Sequence, residues 1–95
     1  MEGLVVLGKI KKGNNMTKVK LDTIEKVKEF VNIVSNYEEE ILISCGKYIV
    51  DAKSILGVFS LNLSYDLSLS ILTDDIKIRD KLHNDIQKFI VNKGE

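Results

Sequence analysis

Hydrophobic and polar positions change their period several times along the chain, and each change marks an element. Thr17 to Leu21 alternates, with Val19 and Leu21 on one side and Lys18 and Lys20 on the other, the period of a half-buried strand. From Asp22 the apolar positions recur every three or four residues, at Ile24, Val27, Val31 and Val34 with Phe30 beside them, which predicts an amphipathic helix. Asp22 is its expected N-cap, Glu25 completes a capping-box-like pair, and the helix is expected to stop near Asn36 or Tyr37. Ile41-Leu42-Ile43 and Tyr48-Ile49-Val50 flank Gly46-Lys47 and predict a hairpin. Ser54 to Leu61 is a short helical candidate, and Leu67, Leu69 and Ile71 alternate with serines as a last strand. Thr73 or Asp74 then opens a helix whose buried stripe is Ile78, Leu82 and Ile86, with Phe89 and Ile90 beyond it.

The resulting order is βαββαβα, an α+β chain best satisfied by a four-stranded antiparallel sheet with its helices on one face. Ahead of it, Leu4 to Ile10 is apolar, and Lys11-Lys12-Gly13-Asn14-Asn15 follows with turn chemistry. Residues 1–15 are therefore expected to be an arm or extra strand, with the domain over 16–95. Three readings of the arm stand open. It pairs beside the first strand, it pairs with another molecule at an open sheet edge, or it reflects an early start assignment.

Ninety-five residues suffice for one core. Fourteen basic and fourteen acidic residues leave no net charge, which speaks against a nucleic-acid binder. The charge is uneven all the same, since residues 1–20 hold five lysines against one glutamate. Such a stretch can touch an acidic partner or a membrane surface, but more often it only aids solubility. Cys45, the lone cysteine, excludes an internal disulfide, and Leu4–Gly8 is too short for a membrane span, so the expected compartment is the cytoplasm.

Candidate chemistry is sparse. His83 is the only histidine and has no recognisable nucleophile beside it, so it reads as a solvated helix residue. One cysteine and one histidine do not assemble a Cys/His metal site. Glu38-Glu39-Glu40 reads as a solvated turn because the alternating geometry of a calcium loop is missing. No glycine-rich phosphate loop occurs, and neither cofactor nor metal is expected.

The informative segment is Asp51-Ala52-Lys53-Ser54-Ile55-Leu56-Gly57-Val58-Phe59-Ser60-Leu61. Ser54 stands where a helix begins, so a phosphate on its hydroxyl would meet unpaired backbone N–H groups. Ile55 and Leu56 follow as an apolar pair in the first turn. On sequence physics alone the segment reads as an N-cap followed by core residues.

Lys53-Ser54-Ile55-Leu56-Gly57-Val58 closely resembles the Lys-Ser-Ile-Met-Gly-Val run around the regulatory serine of the histidine-containing phosphocarrier proteins, HPr. The βαββαβα order is also that family's, and the resemblance runs from about Val19 through Ile71 and more loosely through the last helix. It implies the family's open-faced sandwich. The family's phosphorylated histidine opens the first helix in a Gly-hydrophobic-His-Ala-Arg-Pro stretch, where this chain reads Leu21-Asp22-Thr23-Ile24-Glu25-Lys26. Thr23 replaces the histidine, and Ser54 follows it by 31 positions, the family's spacing. A threonine phosphate is a stable ester, unsuited to a relay, and Asp22 and Glu25 would repel it.

The resemblance therefore implies a non-enzymatic regulatory module with no catalytic residue. Ser54 is the expected phosphoacceptor, with Lys53, Ile55 and Leu56 in the partner surface. An HPr-type serine kinase and a transcriptional regulator are the implied partners, and the expected state is a monomer or weak homodimer. Two alternatives stand beside it: a phosphocarrier using a non-standard site, and a relative in fold only whose partner is unrelated.

Overall fold

The computed structural model describes residues 17–91. β1 (Thr17–Val19) leads to α1 (Ile24–Val34), then to β2 (Ile41–Cys45) and β3 (Tyr48–Asp51). α2 (Ile55–Phe59), β4 (Leu67–Ile71) and α3 (Ile76–Asp85) follow, and a 3-10 turn at Gln87–Phe89 closes the order. The strands lie in the order β1-β4-β2-β3, every pairing antiparallel. β4, late in sequence, is thus inserted between β1 and β2. The register opposes Val19 to Leu67, and Ile43 to both Leu69 and Val50.

Because side chains alternate across a strand, this register puts Val19, Ile41, Ile43, Leu67, Leu69 and Ile71 on one face, all of them buried. Val27, Phe30 and Val34 of α1 and Leu82 of α3 cover that face together with Ile86 and Phe89. Phe30 and Phe89 meet edge to face, with ring centroids 5.9 Å apart, joining the first helix to the end of the chain. The expected α+β sandwich, sheet on one side and helices on the other, is the observed one. Gly46, at φ 62°, supplies the left-handed residue of the β2–β3 hairpin, where its lack of a Cβ removes the penalty.

Three details depart from the periodicity. The N-cap of α1 is Thr23, not Asp22. Asp22 is instead the partner of Lys26, at 2.9 Å, on the surface. Ile24 does not join the buried stripe and is 59% exposed, because the first helical turn projects beyond the edge of the core. α3 starts after Asp75, whose carboxylate accepts from the Lys77 N–H, while Thr73 caps the turn before it by accepting from the Asp75 N–H. Helix ends are where the period is least informative, since capping is decided by one side-chain oxygen.

The arm expected over residues 1–15 lies outside the described residues. The edge of β1 away from β4 is taken by the C-terminal segment: the Lys20 N–H donates to the Phe89 carbonyl and the Val91 N–H to the Lys18 carbonyl, both at 2.9 Å.

Candidate functional site

Between β3 and α2 the chain turns within three residues. The Asp51 carboxylate accepts from the Lys53 N–H at 2.9 Å, and the Asp51 carbonyl accepts from the Ser54 N–H at 3.0 Å. Ala52, fully buried, pins the turn to the sheet through its N–H to the Ile41 carbonyl. Ser54 emerges extended and caps α2, its Oγ accepting from the Gly57 N–H at 3.2 Å. A Cβ at position 57 would stand 3.2 Å from the Ser54 Oγ and 3.3 Å from the Val50 Cβ, so glycine there lets the helix close tightly over the serine. The hydroxyl remains on an exposed residue.

The apolar residues of this turn separate into two kinds. Val58 and Leu61 are buried, and Ile55 is half-buried against the core. Leu56, by contrast, is 79% exposed, and Phe59, three residues on and so on the same helix face, is partly exposed. Leu56 is therefore the side chain that α2 presents to solvent, with Phe59 on the same face, whereas much of Ile55 is committed to the interior. Lys53 also points elsewhere: its Nζ donates to the Tyr37 carbonyl, just past the end of α1.

Tyr37 links this region to α3. Its buried hydroxyl donates to Asp85 at 2.5 Å, and Lys81 reaches both Asp85, at 3.1 Å, and the face of the Tyr37 ring. Burial, reinforced by the bond to Asp85, raises the phenol above its ordinary range, and the same bond, with Lys81, lowers the Asp85 carboxyl.

At the other end of α1, the Thr23 Oγ1 accepts from the Lys26 N–H at 3.1 Å. Asp22 and Glu25 flank it, both exposed. The hydrogen bond from Lys26 holds the Asp22 carboxyl below its usual range, so Asp22 keeps its negative charge beside Thr23 down to acidic pH. α1 and α2 pack against each other.

His83 is exposed on α3, where it and Asp80 line a groove between that helix and β4. Among the described residues no three His, Cys, Asp or Glu side chains are grouped to hold a metal ion, and no helix is long and apolar enough to cross a membrane. Asn62 folds the loop before β4, its Oδ1 accepting from the Ser64 N–H and hydroxyl, while Lys20 donates to the Ser64 carbonyl. Periodicity overlooked Phe59, although its three-residue spacing from Leu56 was visible. Lys53–Tyr37 and Tyr37–Asp85 carried no local signal, being 16 and 48 residues apart.

A family model described as "PTS HPr component phosphorylation site" matches residues 25–91. That span begins two residues after Thr23 and includes Ser54. Among solved structures, HPr-C-His from Thermoanaerobacter tengcongensis superposes with a TM-score of 0.61 at 27% identity, covering 77% of this chain and 88% of that one. Crh, a catabolite repression protein of Bacillus subtilis described as a domain-swapped, intertwined dimer, superposes with a TM-score of 0.55 at 22% identity. That superposition covers 79% of this chain and 88% of the other, and it shows the fold alone. A comparison with curated proteins gives no match.

Proposed function

The chain belongs to the HPr family of the phosphotransferase system, and from that membership we propose that it is a regulatory binding module switched by phosphate on Ser54. The observation that carries this reading is the pairing of an exposed serine hydroxyl with an almost fully exposed leucine two residues later. A kinase can reach Ser54, and a dianion placed there stands next to the apolar contact a partner would use. Phosphate on this hydroxyl adds charge and acceptor oxygens that an arginine-bearing partner reads.

The chain does not act as a histidine relay on this reading. Thr23 lacks the imidazole nitrogen, its oxygen is committed to capping α1, and Asp22 and Glu25 oppose a phosphate there. Function then lies in binding rather than catalysis, and the partners are an HPr-type serine kinase and a transcriptional regulator. Leu56 is the principal contact, Phe59 extends it, and Ile55 supports both from the half-buried side. Lys53 takes part by fixing the turn through Tyr37.

The test is binding of the Ser54-phosphorylated and unmodified chain to an HPr-responsive repressor of catabolite control. Tighter binding of the phosphorylated form, abolished in Leu56→Asp, supports the reading. Equal binding of both forms, or an unaffected Leu56→Asp variant, sinks it.

A further inference from the structure

The two edges of the sheet are occupied differently. On the β1 side, Lys20 and Lys18 bond to Phe89 and Val91 of the C-terminal segment. On the other side β3 ends the strand order, and among the described residues no strand lies beyond it. The direction of its backbone groups follows from its pairing with β2. The Ala52 N–H donates to the Ile41 carbonyl, and an antiparallel ladder alternates, so Val50 and Tyr48 also turn their backbone groups towards β2. The N–H and carbonyl of Ile49 and the N–H of Asp51 are thereby aimed outward. The Asp51 carbonyl accepts from the Ser54 N–H within its own turn.

Outward donors and acceptors on an edge strand are a template for another strand. Charge decides which strand fits. Lys47, in the hairpin turn, and Asp51, at the end of β3, stand two positions either side of Ile49, and both are exposed. A second copy of β3, related by a two-fold axis through Ile49, brings each Lys47 opposite the other copy's Asp51. An axis at Asp51 would oppose two carboxylates, and an axis at Lys47 would oppose two ammonium groups. Of these three registers the central one joins unlike charges, and it lets the two Ile49 residues exchange both of their outward hydrogen bonds. In the same register Tyr48, 75% exposed, comes opposite the second copy's half-buried Val50. Aromatic and β-branched side chains paired in this way stabilise antiparallel strands.

We propose that β3 is a self-association edge, at which two copies of this chain join antiparallel about Ile49. The result is a continuous sheet that doubles the four strands of one chain. Each copy contributes a strand of only four residues, so the dimer is weak and forms at high protein concentration. The proposal does not rest on the reading of Ser54 as a phosphoacceptor.

Sedimentation equilibrium of the full chain, with amide hydrogen exchange at the same concentrations, tests it. The mass should rise with concentration from that of one chain towards twice that value. The Ile49 and Asp51 amides should gain protection in step, and the Tyr48 and Val50 amides, already directed to β2, should change less. Lys47→Glu sets carboxylates against each other at an exposed turn position. It should hold the mass at one chain where the parent is dimeric, with an unchanged circular dichroism spectrum showing that it is folded. A parent that stays a single chain at millimolar concentration overturns the proposal. So does a dimer whose Ile49 and Asp51 amides gain no protection, or one that Lys47→Glu leaves intact, since each places the contact elsewhere.

Discussion

The Thr23 Oγ1 accepts a hydrogen bond from the Lys26 N–H at 3.1 Å, which makes Thr23 the N-cap of α1. Thr23 is the residue that the resemblance sets at the HPr family's histidine, and in this structure it serves to start a helix. Asp22, the neighbour expected to do that work, is turned outward to Lys26. One side-chain oxygen thus accounts for the start of the helix.

Thr23→Ala removes that cap and should cost about 1 kcal/mol of stability, read as a lower urea midpoint with an unchanged slope. Neither the parent nor Thr23→Ala should gain mass from phosphoenolpyruvate and the first enzyme of the phosphotransferase system. Thr23→His restores an imidazole but leaves Asp22 and Glu25 beside it, so it should accept phosphate far more slowly than an ordinary HPr. A rate equal to HPr would show that those two carboxylates do not govern the site.

Leu56→Asp should leave stability within about 0.5 kcal/mol of the parent, because the side chain is exposed. Phe89→Ala, by contrast, opens the contact with Phe30 and should cost roughly 3–5 kcal/mol. Parallel thermal melts separate the two, and a large loss in Leu56→Asp would mean that the side chain is packed.

Gly46→Ala places a Cβ at φ 62°, with no neighbour within 4 Å to clash with it. The cost is therefore purely conformational, about 1 kcal/mol, and should appear as faster amide exchange in the β2–β3 hairpin.

The Tyr37–Asp85 bond sets a pH dependence with two limbs. Asp85 is held below its ordinary value, first by Tyr37 and then by Lys81, so its contribution is present at neutral pH and fades as pH falls through the folded-state value. Tyr37 is held above its ordinary value, so its contribution is whole below pH about 10 and fades as pH rises beyond that. Asp85 is more than a third exposed, which keeps the acid limb below about 1 kcal/mol. Tyr37→Phe should flatten both limbs in urea titrations across pH, and an unchanged profile would mean that other groups set it.

Much of the fold was legible in the order of residues. Alternation at Leu67, Leu69 and Ile71 and the three-to-four spacing from Val27 to Val34 declare the face each element buries, and the sheet follows from satisfying those faces. Ile24 misled because periodicity describes a helix but not how far its first turn overhangs the core. Ser54 was legible as a cap because capping is local, whereas the bond from the Lys53 ammonium to the Tyr37 carbonyl joins residues 16 positions apart and leaves no local mark. The unequal fates of Ile55 and Leu56 depend on how α2 sits against β3 and α1, which two adjacent apolar letters do not encode.

If phosphate enters this chain at Ser54, intact mass reads it without reference to any partner. Parent and Ser54→Ala are incubated with an HPr serine kinase and ATP, with an ordinary HPr as the positive control. One phosphate on the parent and none on Ser54→Ala is the result expected. An unmodified parent beside a modified control, or equal phosphorylation of both forms, would contradict it.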